Sequence, residues 1–128
     1  MAHQDLEPVI RIFLSRYIRS IEELEILLLI AREPGGTWTA KRVYDAILST
    51  PASVERWLNE LAGHGLVEKS PTGFRGCSDA ELSSQIDRLD AAYRTSPVRI
   101  IEAIYRPQNS AAQSFADAFK LKNTDPSP

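Results

Sequence analysis

The sequence predicts a mainly helical α+β fold with one small β-hairpin. Apolar residues recur at helical spacing along most of the chain, and one pair of short extended segments flanks the turn at 70–73, with Pro71 at its second position. The 128 residues are 43% apolar and 25% charged, the balance of a globular protein. A chain of this length can bury a hydrophobic core without disulfides or metals.

The first third of the chain predicts two helices. Apolar side chains form one helical stripe over residues 6–19. Ser20 can cap a second helix over 21–33, and Glu22 and Glu23 lie in its first turn, where the helix dipole favours anions. Because this second helix is apolar nearly all round, we expect it at the centre of a domain or between subunits.

The middle of the chain predicts helices that begin at threonine caps, followed by the hairpin. Thr39 and Thr50 precede these helices, and we expect Trp38 and Trp57 in the core. In chain order the expected elements are a short extended piece at 37–38, helices over 40–48 and 51–62, and strands at 66–69 and 74–76.

The last third predicts three more helices. They are expected from a capping box at Ser78 and Glu81 to about Arg94, from Ser96-Pro97 to a stop at Pro107, and from Asn109 or Ser110 to about Leu121. We therefore divide the chain into an N-terminal helix (1–20), a central unit (21–77), a helical extension (78–122) and a disordered tail (123–128).

The predicted order of elements in the middle of the chain is that of a winged helix-turn-helix. Residues 52–68, ASVERWLNELAGHGLVE, resemble the recognition helix and wing entry of bacterial MarR-like regulators. Residues 24–29, 97–104 and 115–122 look like the layout of a family of small bacterial winged-helix proteins described as hypothetical proteins or transcriptional regulators. The resemblance implies a winged helix with extra N- and C-terminal helices, and it carries over no functional residue.

A winged helix of this kind predicts a DNA-binding transcriptional regulator, with helix 51–62 in the major groove and the wing 66–76 beside it. Arg56 can pair with guanine and Asn59 with adenine, whereas hydroxyls at the helix start can hold phosphates. The candidate contacts with double-stranded DNA are Lys41, Arg42, Thr50, Ser53, Arg56, Asn59, Lys69, Thr72 and Arg75.

The apolar surface of the predicted terminal helices exceeds what a lone winged helix needs. This excess predicts a homodimer through the terminal helices, which would present two recognition helices to one duplex. The alternative is that these helices cover only their own core.

A protein-interaction module without direct DNA binding is the second function that the sequence allows. The net charge is −2, and Glu55 and Glu60 lie on the same side as Arg56, where they would repel phosphates. Arg56 could also simply pair with Glu60 one turn away. A final helix carrying Phe115 and Phe119 would suit docking on a protein partner.

The sequence argues against an enzyme, a cofactor and a membrane protein. One cysteine, Cys77, and two histidines cannot close a zinc site of the usual Cys/His type, and there is no glycine-rich phosphate loop. Cys77 is expected to be an inert small residue. Without a signal-like N-terminus or a long apolar run, we expect a cytoplasmic protein.

Overall fold

The structure is a computed structural model that describes residues 6–105 of the chain. This part is mostly helical with one two-stranded antiparallel sheet, so the predicted fold class is confirmed at that level. The predicted helix near 110–121 and the tail lie outside the described residues. In chain order the elements are α1 (Pro8–Tyr17), α2 (Ile21–Ala31), α3 (Ala40–Ile47), α4 (Pro51–Gly63), β1 (Val67–Ser70), β2 (Gly73–Gly76), α5 (Ala80–Thr95) and α6 (Pro97–Tyr105).

Helix α2 is the centre of the packing. It contacts α3, α4, α5 and both strands. Five of its apolar side chains are almost completely buried, as expected of a helix that is apolar nearly all round. They are Leu24, Ile26, Leu27, Leu28 and Ile30.

The terminal helices pack on one another and on the core of the same chain. Helix α1 contacts α5 and α6, and α5 also contacts α2 and α6. Most of the apolar stripes of α1 and α5 is therefore covered within the chain. No helix within residues 6–105 is both long and apolar enough to cross a membrane. The buried residues of α1, α5 and α6 are Ile10, Phe13, Leu14, Ile86, Leu89, Ile100 and Ile104.

The helix caps follow the predictions with one exception. The side chains of Ser20, Thr39 and Thr50 accept hydrogen bonds from backbone N–H groups in the first turns of α2, α3 and α4. The predicted capping box at Ser78 is wrong by one residue, since Asp79 caps α5 by accepting from the backbone N–H of Leu82.

The charged side chain of Glu68 explains that difference. Its Oε2 accepts hydrogen bonds from the Ser78 backbone N–H at 2.9 Å and from the Ser78 hydroxyl at 2.5 Å. A charged acceptor holds a hydroxyl more strongly than a neutral one does, so Ser78 is bound to β1 and Asp79 is left to cap the helix.

The hairpin is joined to the rest of the chain through Trp38. Strands β1 and β2 pair in register from Val67 opposite Gly76 to Ser70 opposite Gly73. Trp38 adds a bridge to Phe74 with two backbone hydrogen bonds, of 2.7 and 2.8 Å. The predicted extended piece at 37–38 thus lies against β2.

Gly73 lets the backbone of Trp38 approach this closely. Its φ is +150°, and a Cβ built there would lie 2.5 Å from the Trp38 carbonyl oxygen. A side chain at this position must therefore displace the bridge between Trp38 and the hairpin.

We expect Gly73→Ala to destabilise the protein by about 2 kcal/mol or more, because it adds both steric overlap and backbone strain. Urea denaturation followed by circular dichroism measures the loss. Gly76→Ala is the matched control, since a Cβ at Gly76 meets no atom within 4 Å. Equal stability of the two variants would contradict this account of the bridge.

Candidate nucleic-acid interface

Helices α3 and α4 are joined by a tight turn at residues 48–50. Leu48 ends α3 in the left-handed conformation, with φ of 61°, and its side chain is exposed. Thr50 then caps α4, and Pro51 occupies the first helical position, where a missing N–H costs nothing. The start of α4 is therefore fixed directly beside the end of α3.

Helix α4 has the two faces that the sequence predicts. Val54, Leu58 and Leu61 are buried against the core, and Trp57 is buried with them. The outer positions at 52, 55, 56 and 59 are exposed. Trp38 is buried too, so the expectation for both tryptophans is confirmed.

The two basic residues of α3 are exposed but paired. Lys41 forms an ion pair with Asp45 at 2.9 Å. The Arg42 guanidinium lies 3.7 Å from the centre of the Trp38 ring and pairs with Glu33 at 3.0 Å. Through these two contacts Arg42 stabilises the connection between α2 and α3.

One hydrogen bond links the outer face of α4 to the hairpin. The Lys69 ammonium of β1 donates to the Asn59 side-chain oxygen at 3.4 Å, and Lys69 also lies 5.9 Å from the Phe74 ring centre. Arg56 lies over Trp57, 4.7 Å from the ring centre. Arg56 and Asn59, the predicted base-contacting residues, thus share one surface with Lys69 of the hairpin.

The remaining wing candidates lie at the hairpin turn and on β2. Thr72 is exposed at the turn, with its hydroxyl 3.4 Å from that of Ser70. Arg75 pairs with Glu68 at 3.4 Å. Hydrogen bonds from Ser78, together with the nearby Arg75, lower the pKa of Glu68, which keeps that carboxylate charged.

Ser53 and Glu22 attach the first turn of α4 to α2. The Ser53 hydroxyl donates to Glu22 Oε1 at 2.9 Å, and the Trp57 indole N–H donates to the same oxygen at 3.3 Å. Ser53 is half-buried, and its hydroxyl hydrogen is used in the bond to Glu22. Its predicted role at a phosphate stays a prediction.

Glu23 is a buried carboxylate close to charged side chains of α4. Its side chain is 0% exposed, and its Oε1 accepts from the Arg19 backbone N–H at 2.8 Å. Burial is the main cause that raises the pKa of Glu23 to about 7, and the negative charge of Glu60 raises it further, whereas the Arg19 hydrogen bond and the charges of Arg19 and Arg56 lower it. Glu60 pairs with Arg19 at 3.8 Å, whereas Arg56 lies over the Trp57 ring.

Sequence reasoning placed Glu22 and Glu23 in the first turn of α2 but missed what they contact. For Glu23 the sequence contains a signal, since it shares the i, i+4, i+7 spacing with the buried Leu27 and Ile30. That spacing predicts an inward-facing carboxylate. For Glu22 no comparable signal exists, because its partners on α4 are more than thirty residues away.

Within residues 6–105, no group of three or more His, Cys, Asp or Glu side chains is placed to hold a metal ion. Burial is the first cause that raises the pKa of the Cys77 thiol, and the nearby Asp79 and Glu68 charges add to it. Because the thiolate is the nucleophile, a raised pKa disfavours reactivity at Cys77.

Comparison with known proteins gives no match. No family model matches the chain, and neither the curated proteins nor the solved structures include a significant relative.

We expect the wild-type protein to lose up to about 3 kcal/mol of stability between pH 4.5 and about 7, because Glu23 binds its proton more tightly when folded than when unfolded. Between these values the unfolded chain has released this proton and the folded chain retains it, so rising pH favours unfolding. Glu23→Gln keeps an acceptor for Arg19 and should abolish this part of the pH dependence. Urea denaturation at pH 5, 6, 7 and 8 measures it.

Glu55→Gln is the matched control, since Glu55 is an exposed glutamate on α4. This variant should retain the wild-type fall in stability. A Glu23→Gln protein whose stability falls with pH as steeply as that of the wild type would contradict the buried carboxylate.

Proposed function

We propose that this chain is a winged helix-turn-helix protein that binds double-stranded DNA and regulates transcription in the cytoplasm. The observation that supports it best is the contact between Lys69 and Asn59, which sets the hairpin beside the exposed face of α4. A helix and a neighbouring hairpin on one surface can contact the major groove and the adjacent backbone of a single duplex.

The proposed contacts divide into two kinds. Arg56 and Asn59 point outward from α4, and their side chains suit guanine and adenine edges. Phosphates would be held by the remaining candidates, of which Thr50 and Ser53 lie at the start of α4, where the helix dipole favours an anion. These candidates are Lys41, Arg42, Thr50, Ser53, Lys69, Thr72 and Arg75.

Ion pairs in the free protein do not prevent such contacts. Lys41, Arg42 and Arg75 are exposed and paired with exposed or half-buried carboxylates. Exposed ion pairs contribute about 0–1 kcal/mol each, so phosphates can replace the carboxylates at low cost. The acidic Glu55 on the same face weakens the attraction, and we propose a modest affinity that depends steeply on salt.

A homodimer through the terminal helices stays a prediction. In residues 6–105 the stripes that suggested it are largely used inside the chain. The proposed contact surface on α4 and the hairpin is complete in one chain, so it binds a half-site without a second copy.

The second candidate function is a protein-interaction module. The net charge of −2 and the ion pairs of Lys41, Arg42 and Arg75 favour it, because a surface that neutralises its own cations attracts phosphates weakly. The response of binding to salt separates the two functions.

We expect binding to a mixed pool of genomic duplexes that weakens steeply as salt increases, measured by fluorescence anisotropy. Lys69→Ala should lower affinity for all duplexes and reduce the salt slope by about 1. Arg56→Ala should lower affinity for a duplex selected from the pool about 10-fold and leave the affinity for the unselected pool nearly unchanged.

Arg88→Ala is the matched control, because it removes one positive charge from α5, where Arg88 pairs with Glu7. It should bind DNA as the wild type does. Absence of binding at low salt, or equal losses in all three variants, would contradict direct recognition by α4 and the hairpin.

A further inference from the structure

Leu48, in the turn between α3 and α4, is unusual in two respects. Its φ of 61° lies in the left-handed region, and within residues 6–105 no other non-glycine residue has a positive φ. Its side chain is 83% exposed, the highest value among the exposed large apolar residues of this part of the chain. Glycine or asparagine adopts the left-handed conformation with less strain. Leucine here therefore strains the backbone and also leaves apolar surface in water.

Packing within the fold does not explain why a leucine stands at this turn. The backbone N–H of Leu48 donates to the Tyr44 carbonyl oxygen at 2.8 Å, a bond that any residue except proline can make. Strained backbone conformations persist only where the surrounding structure holds them, and they cluster at functional sites. An exposed leucine in a strained turn therefore indicates a contact with a binding partner.

The start of α4 offers apolar rather than charged groups for such a contact. Pro51 and Ala52, the first two residues of the helix, are exposed, and the first turn contains no charged side chain. The Ser53 hydroxyl is already bonded to a carboxylate of α2. Three exposed apolar residues, Leu48, Pro51 and Ala52, thus lie within a stretch of five residues.

This apolar group is too small for a protein partner and has a suitable size for a base. A stable protein interface buries about 800 Å² on each partner, far more than these three side chains offer. In the major groove, by contrast, apolar side chains recognise one feature of the base edges, the methyl group at C5 of thymine. The residues at the start of a recognition helix are those that reach base edges.

We propose that Leu48 contacts a thymine methyl group in the major groove and makes the protein prefer duplexes that carry thymine at this point. The inference rests on the proposed function, and it names a class of sequence that the site prefers. It adds an apolar contact at the turn to the polar contacts proposed for Arg56 and Asn59 on α4.

Replacement of thymine by uracil, which lacks only the C5 methyl group, tests this contact. We expect the wild-type protein to bind a duplex selected from the genomic pool about 4-fold more weakly for each buried methyl that is removed. The dependence on salt should not change, because the phosphates are the same. Leu48→Gly and Leu48→Asn should bind the two duplexes with nearly equal affinity, whereas Leu48→Met, which keeps an apolar side chain, should retain the preference.

Urea denaturation of the same variants separates this contact from a role in folding. Leu48→Gly and Leu48→Asn should have urea midpoints no lower than that of the wild type, since both residues tolerate the left-handed conformation. A midpoint that falls in both variants would show that the leucine serves the fold, and it would overturn the proposal.

Val98→Ala is the matched control, because it shortens another exposed apolar side chain, on α6. It should keep the preference for thymine. Equal binding of the thymine and uracil duplexes by the wild type, with the salt dependence intact, would overturn the thymine contact and leave the proposed function standing. A preference that persists in Leu48→Gly would assign the methyl contact to a different residue and overturn the role of Leu48. Absence of DNA binding at low salt would overturn both proposals.

Discussion

Burial of α2 is the constraint on which the rest of the structure depends. A helix that is apolar nearly all round must be covered on every side, and α3, α4, α5 and both strands pack against it. The positions of α4 and the hairpin follow from this packing. The helices at both ends of the described chain complete the cover, since α1 packs on α5 and α6, and α5 in turn packs on α2.

The N-terminal turn of α2 is where core packing meets the candidate interface. Glu22 accepts hydrogen bonds from Ser53 and Trp57, and Glu23 is buried nearby with Arg19 and Glu60 around it. A buried carboxylate is costly unless it is hydrogen-bonded. The buried Glu23 and the half-buried Glu22 at the start of one helix therefore make the position of α4 sensitive to their partners.

The hairpin depends on a different kind of contact. Its attachment is a backbone bridge between Trp38 and Phe74, which is possible because Gly73 has no side chain. Arg42, stacked on the Trp38 ring, connects this bridge to the start of α3. Trp38 thus links elements that flank α4 in the chain, α3 through Arg42 and the hairpin through Phe74. The candidate surface depends on these contacts.

Interactions between residues close in the sequence determined the helices, their threonine and serine caps and the position of the hairpin. Thr50 and Pro51 start α4 wherever the rest of the chain lies, because capping involves only neighbouring residues. The inward and outward faces of α4 follow from spacing alone. Only the tertiary structure decided that Ser53 donates a hydrogen bond to Glu22 and that Lys69 donates one to Asn59. It also decided that Asp79 rather than Ser78 caps α5. Each of these contacts depends on which polar group, far away in the sequence, the fold places within hydrogen-bonding distance. Hydrophobic periodicity contains no information about such partners.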